Sequence, residues 1–126
     1  MCIRDRGDVV VLKRTTGLSK PIIKRVIATE GQKIDIDYNT GTVYVDDIPL
    51  DESSYIENGI TFRPSTSEAL LEFPQVVPEG YIFVLGDNRA VSEDSRFEAV
   101  GMVDERYILG KAEWIILPFE RFGGIT

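Results

Sequence analysis

Three apolar runs and one alternating run set out the framework of this chain. Asp8 to Lys13 is a β-branched run, Ile22 to Ala28 is apolar apart from Lys24 and Arg25, and Tyr81 to Leu85 is apolar throughout. Runs of this length bounded by turn residues predict buried strands. Lys33-Ile34-Asp35-Ile36-Asp37 alternates apolar and polar, as a half-exposed strand does. Asn39-Thr40-Gly41 then supplies the positive-φ positions of a tight hairpin into Thr42–Asp46. From Pro49 to Pro78 the pattern weakens, with one candidate short strand at Ile60-Thr61-Phe62, and Pro78-Glu79-Gly80 turns the chain back. Asp104 to Leu109 is expected to form a helical turn, and Lys111 to Leu117 a last strand ended by Pro118. Thr15 to Lys20 reads as a loop. The sum is a mainly β, antiparallel domain built from residues 7–37 and 79–120, with a small β insertion at 38–78. Residues 1–6 have neither period nor cap and read as a non-native or disordered head, and residues 121–126 as a flexible tail.

Composition narrows what such a domain does. With 126 residues the chain is one domain, and its 43% apolar content suffices for a core. A formal charge of −7 argues against nucleic acid as a partner, because phosphate binding needs a concentrated basic face. The single cysteine, Cys2, excludes an internal disulfide and a multi-cysteine metal site. The chain has no histidine, which removes the Ser-His-Asp triad, the Cys-His pair and histidine-ligated metals together. An enzyme made from these residues takes its base from Lys, Asp, Glu or Tyr. No metal and no cofactor is expected. No stretch approaches the length of a membrane span.

Two places resist a packing explanation. In the strand over 22–28, Ile22, Lys24 and Val26 share one face and Ile23, Arg25 and Ile27 the other. One cation therefore lies among apolar neighbours, or the strand sits at a rim. A desolvated lysine loses its proton more readily and can take one from a serine hydroxyl, whereas a lysine at a sheet edge simply snorkels into water. The second place is Gly86-Asp87-Asn88-Arg89-Ala90-Val91-Ser92-Glu93-Asp94-Ser95-Arg96, directly after the apolar run 81–85. Its acids and arginines can pair at short range, which is how charge survives at a partly buried site; a solvated turn is the plain alternative. The carboxylates Asp46-Asp47 and Asp51-Glu52 read as solvated flanks of a hairpin, with a carboxylate pair or a weak calcium site as the alternative.

Gly7-Asp8-Val9-Val10-Val11, Ile23-Lys24-Arg25-Val26-Ile27 and the stretch Gly86–Arg96 occur in this order in a way that resembles the bacterial type I signal peptidases. Val77 to Leu85 and Gly101-Met102-Val103 also look like that family, and the resemblance spans residues 6 to about 120. It implies an antiparallel β catalytic domain with a small β insertion, of the signal-peptidase and repressor-protease type. It also implies a serine endopeptidase that cuts signal peptides from exported preproteins with a Ser-Lys dyad, on the outer face of the cell membrane. In the matching motifs Lys24 is the general base, and Ser92 positions its amine. Asp94 and Arg96 form a bracing charge pair. Gly86, Asp87, Asn88, Arg89 and Ser95 support the site, and Arg25 follows the base. The family's nucleophilic serine lies in a Ser-Met-x-Pro box after a membrane anchor, and these 126 residues contain no such box. The chain is therefore expected to be an N-terminally truncated member, inactive alone. Its expected partners are signal peptides, and the membrane surface through the anchor. A self-cleaving repressor-type Ser-Lys protease and a non-catalytic, peptide-binding β module are the rival readings.

Overall fold

The computed structural model describes residues 7–13, 21–52, 56, 61, 63–64, 68–89, 94–98 and 100–111. Nine strands form two antiparallel sheets among these residues. The first sheet has the order β8-β7-β2-β1-β9, made of β1 (Val9–Leu12), β2 (Ile22–Thr29), β7 (Tyr81–Leu85), β8 (Val103–Asp104) and β9 (Ile108–Lys111). The second has the order β5-β4-β3-β6, from β3 (Lys33–Asp37), β4 (Thr42–Val45), β5 (Ile48–Pro49) and β6 (Gln75–Val76). The mainly β, antiparallel class expected from the pattern is the one observed.

The two sheets share a core. Ile27, Ala28, Phe83 and Leu85 of the first pack with Ile34, Ile36, Val43 and Val45 of the second, and with Val77. The alternation of 33–37 is what sends Ile34 and Ile36 into this layer, with Asp35 on the other side. β3 accordingly pairs with β4 and β6, so the second sheet begins at Lys33. The opposite face of the first sheet carries its own cluster of Val10, Leu12, Val26, Ile82 and Val84.

A bulge joins these two cores. β2 pairs with β7 at Val26↔Val84 and again at Ala28↔Phe83, which leaves Ile27 as an extra residue. Strict alternation would put Ile27 and Ala28 on opposite faces, yet both enter the core between the sheets.

Several local expectations are corrected. In the β3–β4 turn only Gly41 takes a positive φ, 76°; Tyr38 to Gly41 form a four-residue loop closed by the Asp37↔Thr42 pair. The two-residue loop with positive φ at both positions is Asp46-Asp47 instead, at 52° and 67°. It joins Val45 to Ile48 in the way a primed hairpin turn does, with short acidic side chains standing where Asn-Gly is commonest. The helical turn expected over 104–109 is a 3-10 turn of Glu105–Tyr107 capped by Asp104, whose side chain accepts from the Arg106 amide. Strand follows at once in β9, so the last strand begins at Ile108. The remainder of the strand expected at 111–117 lies outside the described residues, as do the head, the loop 15–20 and the tail. Thr61 is not in a strand, and its neighbours Ile60 and Phe62 lie outside the described residues.

Phe83 is fully buried in the shared core and meets Phe73 edge-on at 5.8 Å and 79°. Truncating Phe83 to Ala is expected to cost about 3–5 kcal/mol, through lost transfer energy and the cavity left behind. Urea unfolding measures this; a loss under about 1 kcal/mol would mean that the two sheets do not share a close-packed layer.

Candidate active site

Lys24 is the third residue of β2, opposite Val10 of β1, and is 4% exposed. Val10 is opposite Lys111 of β9 in turn, so Lys24, Val10 and Lys111 form one row across the sheet. Directly opposed residues point to the same face. Lys24 therefore shares its face with Ile22, Val10 and Val26, members of the apolar cluster on that side. Of the two placements open at the sequence level, burial among apolar neighbours is the one found. Lys111 is also buried, and its ammonium lies 3.4 Å from the Asp8 carboxylate.

Arg25 takes the other face, between Val9 and Leu85. Its guanidinium donates to both oxygens of Asp87, at 2.9 Å and 2.7 Å, and to the carbonyl of Gly7 at 3.1 Å. This fork is planar on planar, the geometry that makes arginine–carboxylate pairs specific. It ties the strand of Lys24 to the start of the polar stretch and to the chain entering β1.

The described residues of the polar stretch, 86–89 and 94–96, are bound into a network. Asp94 and Arg96 are wholly buried. Arg96 donates from Nε to Asp94 Oδ1 at 2.9 Å and from Nη2 to Oδ2 at 3.1 Å. The same carboxylate accepts from the backbone amides of Arg96 at 3.1 Å and Gly86 at 3.2 Å. Ser95 donates its amide to the Val84 carbonyl, and its hydroxyl accepts from the Val84 amide, each at 3.0 Å. In this way the stretch is stitched back onto β7. Arg89, 5% exposed, donates Nε to the Gly86 carbonyl at 2.6 Å. Asn88 is exposed at the rim. Ser92 lies outside the described residues.

One partner escaped the sequence reading. Glu52, expected to be a solvated flank, is instead 3% exposed and receives both ends of the Arg89 fork, at 3.0 Å and 2.7 Å. Thr61 Oγ1 accepts from the same guanidinium at 2.9 Å. The Glu52–Arg89 separation of 37 residues leaves no local signal in the chain. Lys111 was missed for a similar reason, since only strand pairing across β1 brings it near Lys24. Nearby, the half-buried Tyr38 hydroxyl makes no hydrogen bond in the described structure, and burial pushes its ionisation above the ordinary phenol range. Among the described residues no group of acids and cysteines is placed to hold a metal ion.

What the arrangement offers is a buried lysine on a face it shares with apolar residues, in a strand tied through Arg25 to the polar stretch. Such an amine is suited to general-base work rather than to binding anions.

Comparison with known proteins agrees in kind. A family model described as "Signal peptidase, peptidase S26" matches residues 4–117. Signal peptidase IB of Staphylococcus aureus (strain Mu50) is 34% identical over 129 residues, covering 94% of this chain and 63% of that protein. Probable signal peptidase I-1 of Synechocystis is 35% identical over 124 residues, covering 93% and 57%. The chain thus spans less than two thirds of the length of these curated relatives. A crystal structure of a signal peptidase I from Enterococcus faecalis V583 superposes with a TM-score of 0.61 at 26% identity. That match covers 85% of this chain and 94% of the other.

Proposed function

The chain belongs to the signal peptidase family, peptidase S26, and from that membership we propose that its residues form the catalytic β domain of a serine endopeptidase removing signal peptides from exported preproteins. The observation that carries the mechanism is Lys24, 4% exposed on the apolar face of the first sheet.

Lys24 acts as the general base. It accepts the hydroxyl proton of a serine supplied by a Ser-Met-x-Pro box, as the serine oxygen bonds to the scissile carbonyl carbon. Backbone amides hold the oxyanion that forms. Lys24 returns the proton to the departing amine as the peptide C–N bond breaks, and water then releases the acyl group by the same route. Ser92 holds the amine in line. Asp94, Arg96, Gly86, Asp87, Asn88, Arg89 and Ser95 keep the loop in register with it, and Arg25 carries the connection through Asp87.

The peptide lies extended against an open sheet edge. β7 pairs with β2 only from Arg25 onward, and among the described residues no strand covers Ile22 and Ile23 on that side. As a signal peptide, the substrate has small residues before the cut. The domain works at the outer face of the cell membrane, brought there by an anchor that precedes the catalytic box in the family. Among the described residues no helix is long and apolar enough to cross a membrane.

Two assays test the reading together. A full-length protein that includes these residues is expected to release a mature product from a precursor with alanine at the last and third-last signal positions. The 126 residues alone are expected to release none. Acylation of Ser92 or Ser95 in the isolated chain by a serine-directed inhibitor, located by mass spectrometry, would overturn the assignment of the nucleophile to a Ser-Met-x-Pro box.

A further inference from the structure

We propose that Glu52, a residue outside the motifs that carry the family resemblance, is a positioning residue for the Lys24 site and acts through Arg89; this rests on reading Lys24 as the base. The side chain of Arg89 is held from three directions. Its Nε donates to the Gly86 carbonyl at 2.6 Å, Nη1 to Glu52 and Thr61 at 3.0 Å and 2.9 Å, and Nη2 to Glu52 at 2.7 Å. Arg89 is 5% exposed, Glu52 3% and Thr61 0%. A buried ion pair is weak evidence for stability, because apolar residues of similar volume often do as well. What this pair supplies is a fixed geometry.

That geometry reaches the site in two directions. The Arg89 carbonyl accepts from Arg96 Nη2 at 3.0 Å, and Arg96 is locked to Asp94. The described residues on either side of 90–93, Arg89 and Asp94, are thereby two buried anchors, the first held by Glu52 and the second by Arg96. Toward the base, Arg89 fixes Gly86. The adjacent Asp87 holds Arg25, the chain neighbour of Lys24, by a bidentate fork. The segment following β5 is in this way connected to the base strand through Arg89, the Gly86–Asp87 backbone and Arg25.

A positioning role predicts a loss in turnover with substrate binding little changed, since a small displacement of a base costs rate steeply. In the full-length protein, Glu52→Gln is expected to lower kcat for a precursor peptide at least about tenfold with KM within about twofold. In the 126-residue chain, the same variant is expected to speed amide hydrogen exchange at Gly86, Ser95 and Arg96 at least about tenfold, with Ile36 and Val43 unchanged. A kcat within about twofold of the parent's, or exchange that rises equally in β3 and β4, would overturn the proposal by reducing Glu52 to a structural brace. Should Glu52→Gln fail to fold, Thr61→Val decides, with about a threefold loss in kcat expected and an unchanged kcat overturning the proposal. If the unaltered full-length protein cleaves nothing, the peptidase reading fails, and the exchange pattern still decides whether Glu52 holds the loop.

Discussion

Replacing Lys24 by Met in the full-length protein is expected to abolish precursor cleavage, lowering kcat at least about a thousandfold. Methionine keeps the length and volume of the side chain and removes only the amine. Its site is on the apolar face shared with Val10, Ile22 and Val26, where a thioether is at home. The variant is expected to stay folded, so that the loss of cleavage reports the missing amine. Activity and stability should separate cleanly. A variant that still cleaves within tenfold of the parent would remove Lys24 as the base.

Asp94 presents the reverse case. Its carboxylate accepts from Arg96 Nε and Nη2, and from the amides of Arg96 and Gly86. Both charged side chains have 0% exposure. Asp94→Ala leaves a guanidinium in the interior without its carboxylate, the Arg89 carbonyl remaining as an acceptor. Breaking a buried pair from one side costs about 3–5 kcal/mol, which for a domain of this size lowers the melting temperature by about 10–20 °C. Thermal unfolding of the 126-residue chain measures this with no activity assay. A shift under about 3 °C would show that water or a rearranged loop compensates the arginine. Taken together, the two variants sort the site into a group that reacts and a frame that holds it.

How much of this was legible in the chain depended on the range of each interaction. The β-branched run before Lys13, the alternation at 33–37 and the apolar run 81–85 each encode a strand within a few residues, and β1, β3 and β7 formed there. β5 and β6 have two residues each, too short to show any period. β9 begins directly after a 3-10 turn and contains Gly110, so its pattern was absorbed into a helical reading. The acids and arginines of 86–96 signalled pairing, and Asp94–Arg96 lies two residues apart. Glu52–Arg89 was silent because nothing near either residue marks a partner 37 positions away. Lys24 stood out on its strand, yet periodicity could not choose between rim and interior; only the sheet, with β1 on one flank, made that choice.

The bulge at Ile27 has a further consequence for the chemistry. β2 is two half-strands out of phase, one registered to β1 through Ile22–Arg25 and the other to β7 through Ala28 and Thr29. The extra residue lets the second half fill the layer between the sheets without dictating which way the first half faces. In a β2 of unbroken parity, Ala28 on the inter-sheet side would pull Lys24 to that side as well, and Arg25 would take the opposite face. A guanidinium keeps its proton in proteins. The bulge thus lets Ile27 and Ala28 both fill the layer between the sheets while Lys24, the one of these two neighbouring cations able to act as a base, stays on the face of Val10 and Val26.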